Sequence, residues 1–244
     1  GTPKMTMATQ PSQSSRPSPQ PVLSHSWLEL PGDWISDAEH CITHYADMQG
    51  RVQRNYTALY DVDTYASYWV AYPLCAAHTT TGRVEIRGYD PKVNQESQTC
   101  VKKGYGVTVP TKNYPKNFYA RGHQIPNADR NAVPQMQEQT YYSTNMTPQI
   151  QNGFNGGIWA KLEEAVRSNI PTEDTLYIVT GASFAKAGED ARPVTIINKN
   201  DGKTLPVPKY YWKVILKVHR DAGNITDAMS VGFWLPHEDL KGQA

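Results

Sequence analysis

The densest group of residues able to do chemistry lies in YARGHQIPNADR, residues 119–130. In this segment His123 follows Arg121 and Gly122. An imidazole with an ordinary pKa of about 6.5 can take a proton from water near neutral pH. Hydrolysis of a phosphodiester needs such a base, a metal ion to neutralise developing charge, and cations that hold the phosphate. The segment therefore indicates this chemistry if ligands for a metal follow elsewhere in the chain.

Candidate ligands and a helix-spaced charged pair lie downstream. Asn145 stands in STNMTPQ and Asn155 in GFNGGIW, and amide oxygens are hard ligands that suit Mg²⁺. On a helix, positions 155, 159, 163 and 167 drift by only about 40° per step, so we expect Asn155, Glu163 and Arg167 on one stripe. There Asn155 would face the metal, Glu163 would hold a metal-bound water and Arg167 would reach a phosphate oxygen. Gly156 leaves the backbone open at the helix start, where the dipole favours an anion.

Each feature also has a plainer interpretation. A lone histidine beside arginine and glycine is often structural or at the surface. Glu163 and Arg167 have the i,i+4 spacing of a solvated helix ion pair, worth about 0.3–0.5 kcal/mol. An asparagine before two glycines, as at Asn155, is an ordinary helix-start or turn residue. The order of the motifs along the chain, more than any single residue, favours one shared site.

In that order, YARGHQIPNADR, YYSTNMTPQ and FNGGIWAKLEEAVR closely resemble the DNA/RNA non-specific endonuclease family of the ββα-metal (His-Me finger) superfamily. The family signature is Asp-Arg-Gly-His, then Asn-Met/Ile-Ser/Thr-Pro-Gln, then Asn-x-Gly-x-Trp-x-x-Leu-Glu. The matching motifs cover residues 119–167, and the flanking strands fit less distinctively.

The resemblance implies an endonuclease that hydrolyses DNA and RNA with little sequence preference and leaves 5′-phosphates. It makes His123 the general base and Asn155 the direct ligand of Mg²⁺, for which Mn²⁺ can substitute. Glu163 would orient a metal-bound water. The expected partners are the DNA and RNA substrates.

The resemblance also assigns substrate contacts. Arg121 and Arg167 match the family's contacts to phosphate and transition state, which adds both to the catalytic set. Asn145 matches its site-lining asparagine. A further family arginine lies upstream, and Arg83 or Arg87 could supply it.

The clear departure from the signature is Ala120, which stands where the family has aspartate. Because the base, the metal ligand and the glutamate remain, we expect activity to be retained. Two other functions stay open: a degenerate nuclease that binds nucleic acid without cutting it, and a toxin or effector with the same chemistry.

The resemblance implies an α+β fold, with a mixed, mainly antiparallel central sheet, flanking helices and a ββα-metal finger, and the sequence pattern predicts several of its elements. NYTALYDVDTYASYWVAYPL predicts two strands joined by a turn near Asp61 to Asp63. IWAKLEEAVRSNI predicts an amphipathic helix stopped by Pro171. TLYIVTGASF, VTIIN and YYWKVILKVH predict core strands of one sheet. The stretch from Gly82 to Lys116 is expected to be a long irregular segment.

The flanks predict a tether and one domain. Residues 1–24 are rich in Ser, Pro, Gln and Thr and predict a disordered tether, followed by a single nuclease domain at 25–244. With a removed signal peptide presumed, we expect a secreted, periplasmic or surface-tethered protein. No window approaches the roughly 18 apolar residues of a membrane span.

Composition sets looser bounds. A net charge of +1 lacks the strong basic signal of a DNA-coating protein, so attraction for phosphate must be local. Of the 3 cysteines at most two can pair within the chain, and Cys75 with Cys100 is our guess. The oligomeric state, monomer or homodimer, stays open.

Overall fold

The structure is a computed structural model. It describes residues 27–32, 39–84, 86, 88–99, 102, 104–106, 118–190 and 192–241. The predicted tether, residues 1–24, lies outside the described residues, as does most of the expected irregular segment after residue 99. The two-unit division of the chain therefore stays a prediction.

Six strands form one fully antiparallel sheet in the order β1-β2-β3-β6-β9-β10. A second ladder pairs β4 with β5, and a third pairs β7 with β8. The strands are β1 (Glu39–Met48), β2 (Arg51–Asp61), β3 (Ala66–Leu74), β4 (Tyr119–His123), β5 (Met146–Ile150), β6 (Leu176–Ser183), β7 (Thr195–Ile197), β8 (Thr204–Pro206), β9 (Tyr210–Asp221) and β10 (Asn224–Pro236). The helices are α1 (Pro134–Gln139) and α2 (Trp159–Ser168).

Both faces of the central strands are covered, which explains their nearly continuous apolar runs. One face packs under α2 through a cluster that includes Val70, Ile178 and Val166. The other face holds Leu59, Trp69 and Val179 in a separate cluster. The expected α+β class, with a mainly antiparallel sheet, is confirmed.

A ββα unit sits on the α2 face of the sheet. The β4–β5 hairpin leads through an irregular segment, Gln151–Ile158, into α2. Phe154 and Trp159 stack with ring centroids 5.7 Å apart, and both contact the ring of Tyr211 on β9. These aromatic contacts fix the start of α2 against the sheet.

The paired strands at β2 and β3 and the helix at α2 agree with the sequence, but two local predictions were wrong. Thr195–Ile197 does not join the core sheet, because it pairs with β8 in a separate ladder. Asn155 does not lie on the helix: Gly156 and Gly157 have non-helical backbone angles, and α2 begins at Trp159. The stripe of 155, 159, 163 and 167 therefore exists only from residue 159 onward.

The cysteines do not form the guessed bridge. Cys75 carries a free thiol whose Sγ lies 3.4 Å from Nδ1 of His78. Cys100 lies outside the described residues. The pairing guessed for Cys75 is therefore wrong in this structure. Within the described ranges, no helix has the length and apolar character needed to cross a bilayer.

Candidate active site

The β4 strand presents His123 and Arg121 on the same face, because side chains alternate along a strand. The His123 ring stands edge-on to Tyr141, with ring centroids 5.0 Å apart. Its Nε2 atom is buried and has no hydrogen-bond partner among the described residues. Since a hydrogen bond to the Arg121 backbone uses the ring elsewhere, Nε2 is the nitrogen left to meet a reactant.

The surroundings keep the His123 ring neutral. Burial lowers the pKa of His123 to about 3, and the positive charges of Arg83 and Arg121 lower it further than the backbone bond raises it. The imidazole is therefore neutral near pH 7, which is the form that can accept a proton.

Arg83 is one of two arginines that the sequence left unassigned. Its Nε donates to the hydroxyl of Tyr141 at 3.4 Å, and Tyr141 is the residue that contacts the His123 ring. The Arg83 side chain is otherwise exposed. The alternative, Arg87, lies outside the described residues. Arg83 thus adds a cation at the edge of the His123 site.

Asn155 lies half-buried in the irregular segment before α2. Its Nδ2 donates to Oε1 of Gln151 at 2.9 Å, which orients the amide. Within the described residues no donor engages Asn155 Oδ1, so this hard oxygen is available to a cation. Gly153, two residues earlier, has a φ of +76°, and a Cβ there would strike Asp239. The turn that presents Asn155 therefore requires glycine at 153.

The segment before Asn155 is tied to the core by a buried histidine. The backbone N–H of Ile150 donates to His237 Nε2 at 2.7 Å, and His237 Nδ1 donates to the carbonyl of Pro208, also at 2.7 Å. Burial lowers the pKa of His237 to about 4, so the ring is neutral and its tautomer is set by these two bonds. His237 was not among the predicted residues, and no sequence motif indicates its structural role.

Helix α2 brings Glu163 and Arg167 over the segment that follows His123. Arg167 NH1 donates to Asp129 Oδ1 at 3.0 Å, and the hydroxyl of Tyr72 donates to Asp129 Oδ2 at 3.0 Å. Asp129 is buried, six residues after His123. Arg167 is therefore held by Asp129, a carboxylate of the segment that follows His123. Arg167 does not form the solvated i,i+4 ion pair with Glu163 that the spacing allows.

The Glu163 carboxyl group has a pKa above its ordinary value. Burial raises its pKa to about 7, against the opposing charges of Lys213 and Arg167. Asp129 and Lys213 were both missed from the sequence: Asp129 stands inside the quoted NADR motif, but Lys213 occurs in an apolar strand pattern with nothing to mark it as buried.

Asn145 has a different place from the one expected. It is fully buried, its Oδ1 accepts from the Ile125 N–H at 3.0 Å, and its Nδ2 donates to the carbonyls of Ile125 and Thr140. Every polar position of its amide is used by backbone. The structure thus places His123 and Arg121 on one face of β4, with Arg83 at the edge of the site through Tyr141, and places Glu163 and Arg167 on α2. Asn145 holds the intervening backbone.

Comparisons with known proteins find curated nucleases among the relatives of this chain. The chain is similar to the mitochondrial nuclease of Saccharomyces cerevisiae, 27% identical over 203 residues that cover 81% of this chain and 59% of that protein. It is also 36% identical over 104 residues to nuclease C1 of Cunninghamella echinulata, which covers 42% of this chain and 41% of that protein. The chain spans about half the length of the curated relatives it matches.

The fold resembles that of a solved EndoG/EndoGI complex. The TM-score is 0.53 at 21% identity, and the match covers 83% of this chain and 78% of that chain. The model of the family described as DNA/RNA non-specific endonuclease matches residues 37–243, which include every site residue named above. This chain belongs to the DNA/RNA non-specific endonuclease family.

Proposed function

We propose that this protein is a metal-dependent nuclease that hydrolyses phosphodiester bonds of DNA and RNA without sequence preference and leaves 5′-phosphate products. The observation that carries the proposal is His123 Nε2, a buried nitrogen without a hydrogen-bond partner among the described residues, on a neutral ring beside Arg121 and Arg83. A neutral base among cations suits a reaction in which water attacks an anionic phosphate.

The residues present fit a hard divalent ion. Asn155 Oδ1 is an available neutral oxygen, and the described residues contain no group of three or more His, Cys, Asp or Glu that would enclose an ion. An ion at Asn155 would therefore take most of its ligands from water and substrate, as Mg²⁺ prefers and Mn²⁺ tolerates. When bound there, it would neutralise charge on the phosphate and on the departing 3′ oxygen.

The chain's own residues supply the other functions. His123 Nε2 takes the proton of the attacking water, and Glu163 would accept a hydrogen bond from a separate water held by the bound ion. Arg121 and Arg167 hold phosphate oxygens, with Arg83 at the rim of the site. Contacts to phosphate carry no base information, which accounts for cleavage without sequence preference.

We also propose where in or outside the cell the protein acts. The relatives include mitochondrial nucleases and a nuclease of Nostoc sp., so the family occurs in more than one setting. For this chain we propose export, with the protein secreted, periplasmic or tethered to the outer surface. Retention of an epitope-tagged full-length protein inside the cytoplasm of its native cell would overturn it.

Cleavage of supercoiled plasmid and of single-stranded RNA tests the activity. We expect the wild type to cut both with Mg²⁺ or Mn²⁺ and neither with EDTA. His123→Ala should lose cleavage while it still binds nucleic acid, and the exposed His40→Ala on β1 is the matched control. Binding without cleavage by the wild type under every metal condition would instead indicate a degenerate, binding-only protein.

The ion site has its own test. Asn155→Ala should raise the Mg²⁺ concentration needed for half-maximal cleavage by tenfold or more. Asn152→Ala, in the same segment and exposed, should leave it unchanged. An unaltered Mg²⁺ requirement in Asn155→Ala would reject Asn155 as the ligand.

A further inference from the structure

A buried ammonium group lies beneath the active-site helix. Lys213, on β9, is 1% exposed. Its Nζ donates to Thr180 Oγ1 on the neighbouring strand β6 and lies 5.2 Å from the ring centroid of Trp159. In the described part of the chain, no carboxylate forms an ion pair with it. A buried ammonium without a counter-charge destabilises the fold. We therefore expect nearby negative charges to stabilise the Lys213 ammonium.

The positive and negative charges around Lys213 cancel only when four side chains are counted together. Two carboxylates, Glu163 and Asp129, and two cations, Lys213 and Arg167, influence one another there. Arg167 pairs directly with Asp129, which also accepts the Tyr72 hydroxyl. Asp129 is therefore satisfied without Lys213. No cation among the described residues pairs directly with Glu163, whose carboxylate interacts with the side chain of Trp159, the residue that Lys213 Nζ faces. Removal of the Lys213 charge would leave Glu163 as the carboxyl that takes up a proton.

We propose that Lys213 is a positioning residue for the nuclease reaction, whose buried ammonium keeps the Glu163 carboxylate ionised so that it can orient a metal-bound water. This inference rests on the proposed function. The electrostatics agree with the geometry: burial raises the pKa of Glu163, and Lys213 is the largest opposing influence. Burial lowers the pKa of Lys213, and Glu163 is the largest influence that restores it.

The direct test is a carboxyl-carbon NMR titration of Glu163 in protein kept metal-free with EDTA, assigned by comparison with Glu163→Gln. In the wild type we expect titration near pH 7. Lys213→Met, which keeps the length and removes the charge, should move the midpoint upward by at least one pH unit. Lys217→Met, an exposed lysine on the same strand, is the control and should not move it. An unmoved midpoint in Lys213→Met overturns the proposal.

The same variants distinguish a positioning role of Lys213 from a purely structural one. The ascending limb of kcat/KM against pH should shift upward in Lys213→Met, with a loss of about fivefold or more at pH 7, recovery at pH 9 and little change in KM. An equal loss at every pH would show a structural role and reject the proposal. Thermal unfolding midpoints identify the folded variants, and Lys213→Gln replaces Lys213→Met if the latter does not fold. An inactive wild type would sink the proposed nuclease function, while the titration would still report separately whether Lys213 controls Glu163.

Discussion

Ala120 lies directly opposite Gln149 in the β4–β5 ladder, on the face of the ladder opposite to His123. Gln149 is fully buried, and neither of its amide atoms has a hydrogen-bond partner among the described residues. Its side chain packs over Gly122, where a Cβ would lie 2.6 Å from the Gln149 Cδ. The residue that departs from the family signature therefore borders an amide without a hydrogen-bond partner among the described residues, and not His123 Nε2.

Ala120→Asp is expected to stabilise the protein without improving catalysis much. The new carboxylate can accept a hydrogen bond from Gln149 Nε2, which should raise the free energy of unfolding by about 1 kcal/mol. Since it points away from His123, kcat/KM should change by less than about threefold. Urea unfolding and plasmid-cleavage kinetics measure the two effects. Ala120→Asn offers the same acceptor without the charge, and a tenfold loss of activity confined to Ala120→Asp would contradict the prediction.

Asp129→Asn tests whether the buried carboxylate holds Arg167. The ion pair is only partly exposed, with 24% of the Arg167 side chain accessible, so its loss should lower the free energy of unfolding by about 1–3 kcal/mol. We also expect kcat/KM to fall by roughly tenfold, because Arg167 loses its fixed orientation toward phosphate. Both are measured as for Ala120→Asp.

The matched control for this ion pair is Asp190→Asn. Asp190 pairs with Arg192 at 2.9 Å, but the two side chains are 66% and 89% exposed. An exposed pair contributes little to stability, so this variant should behave as the wild type in both assays. Equal effects of the two substitutions would show that Asp129 has no special hold on Arg167.

Much of the fold and part of the site could be predicted from sequence. The α2 period and the apolar runs of β2, β3, β6 and β9 are strong local signals, because burial on one or both faces dictates residue type. Strands β1 and β10 were missed. The charged and polar residues of β1 dilute its pattern, and β10 is an exposed edge strand whose side chains are little constrained by burial.

The site shows where local patterns stop being informative. Helical spacing placed Asn155 on the helix, but two glycines allow an irregular backbone that no periodicity reveals. The role of the Asn145 amide could not be assigned from its motif, because an asparagine serves equally well to contact substrate or to hydrogen-bond the backbone. Lys213 and Asp129 act through long-range burial and charge, which are properties of the folded chain and not of any sequence window.

Asn145→Ala should destabilise the fold and leave substrate affinity intact. The substitution removes three hydrogen bonds to buried backbone at Ile125 and Thr140, for an expected loss of about 2–3 kcal/mol in the free energy of unfolding. Asn131→Ala, whose bonds to Thr80 are solvent-exposed, should lose less than about 1 kcal/mol. KM for plasmid, measured well below the unfolding midpoint, should match the wild type. A tenfold higher KM in Asn145→Ala alone would restore the asparagine to the substrate site.

The His123 ring should remain neutral throughout the working pH range. Burial is the largest cause of its low pKa, with Arg83 and Arg121 next, so NMR of the imidazole should show titration near pH 3. Arg83→Gln removes one cation and should raise this pKa, but the ring should still titrate below 6.5 because burial persists. Arg51→Gln, at the exposed start of β2, should have no effect. Since a neutral ring is the form that accepts a proton, protonation of His123 should not limit kcat/KM between pH 5 and 9. An acid limb near pH 6.5 that survives Glu163→Gln would show instead that His123 titrates as an ordinary histidine.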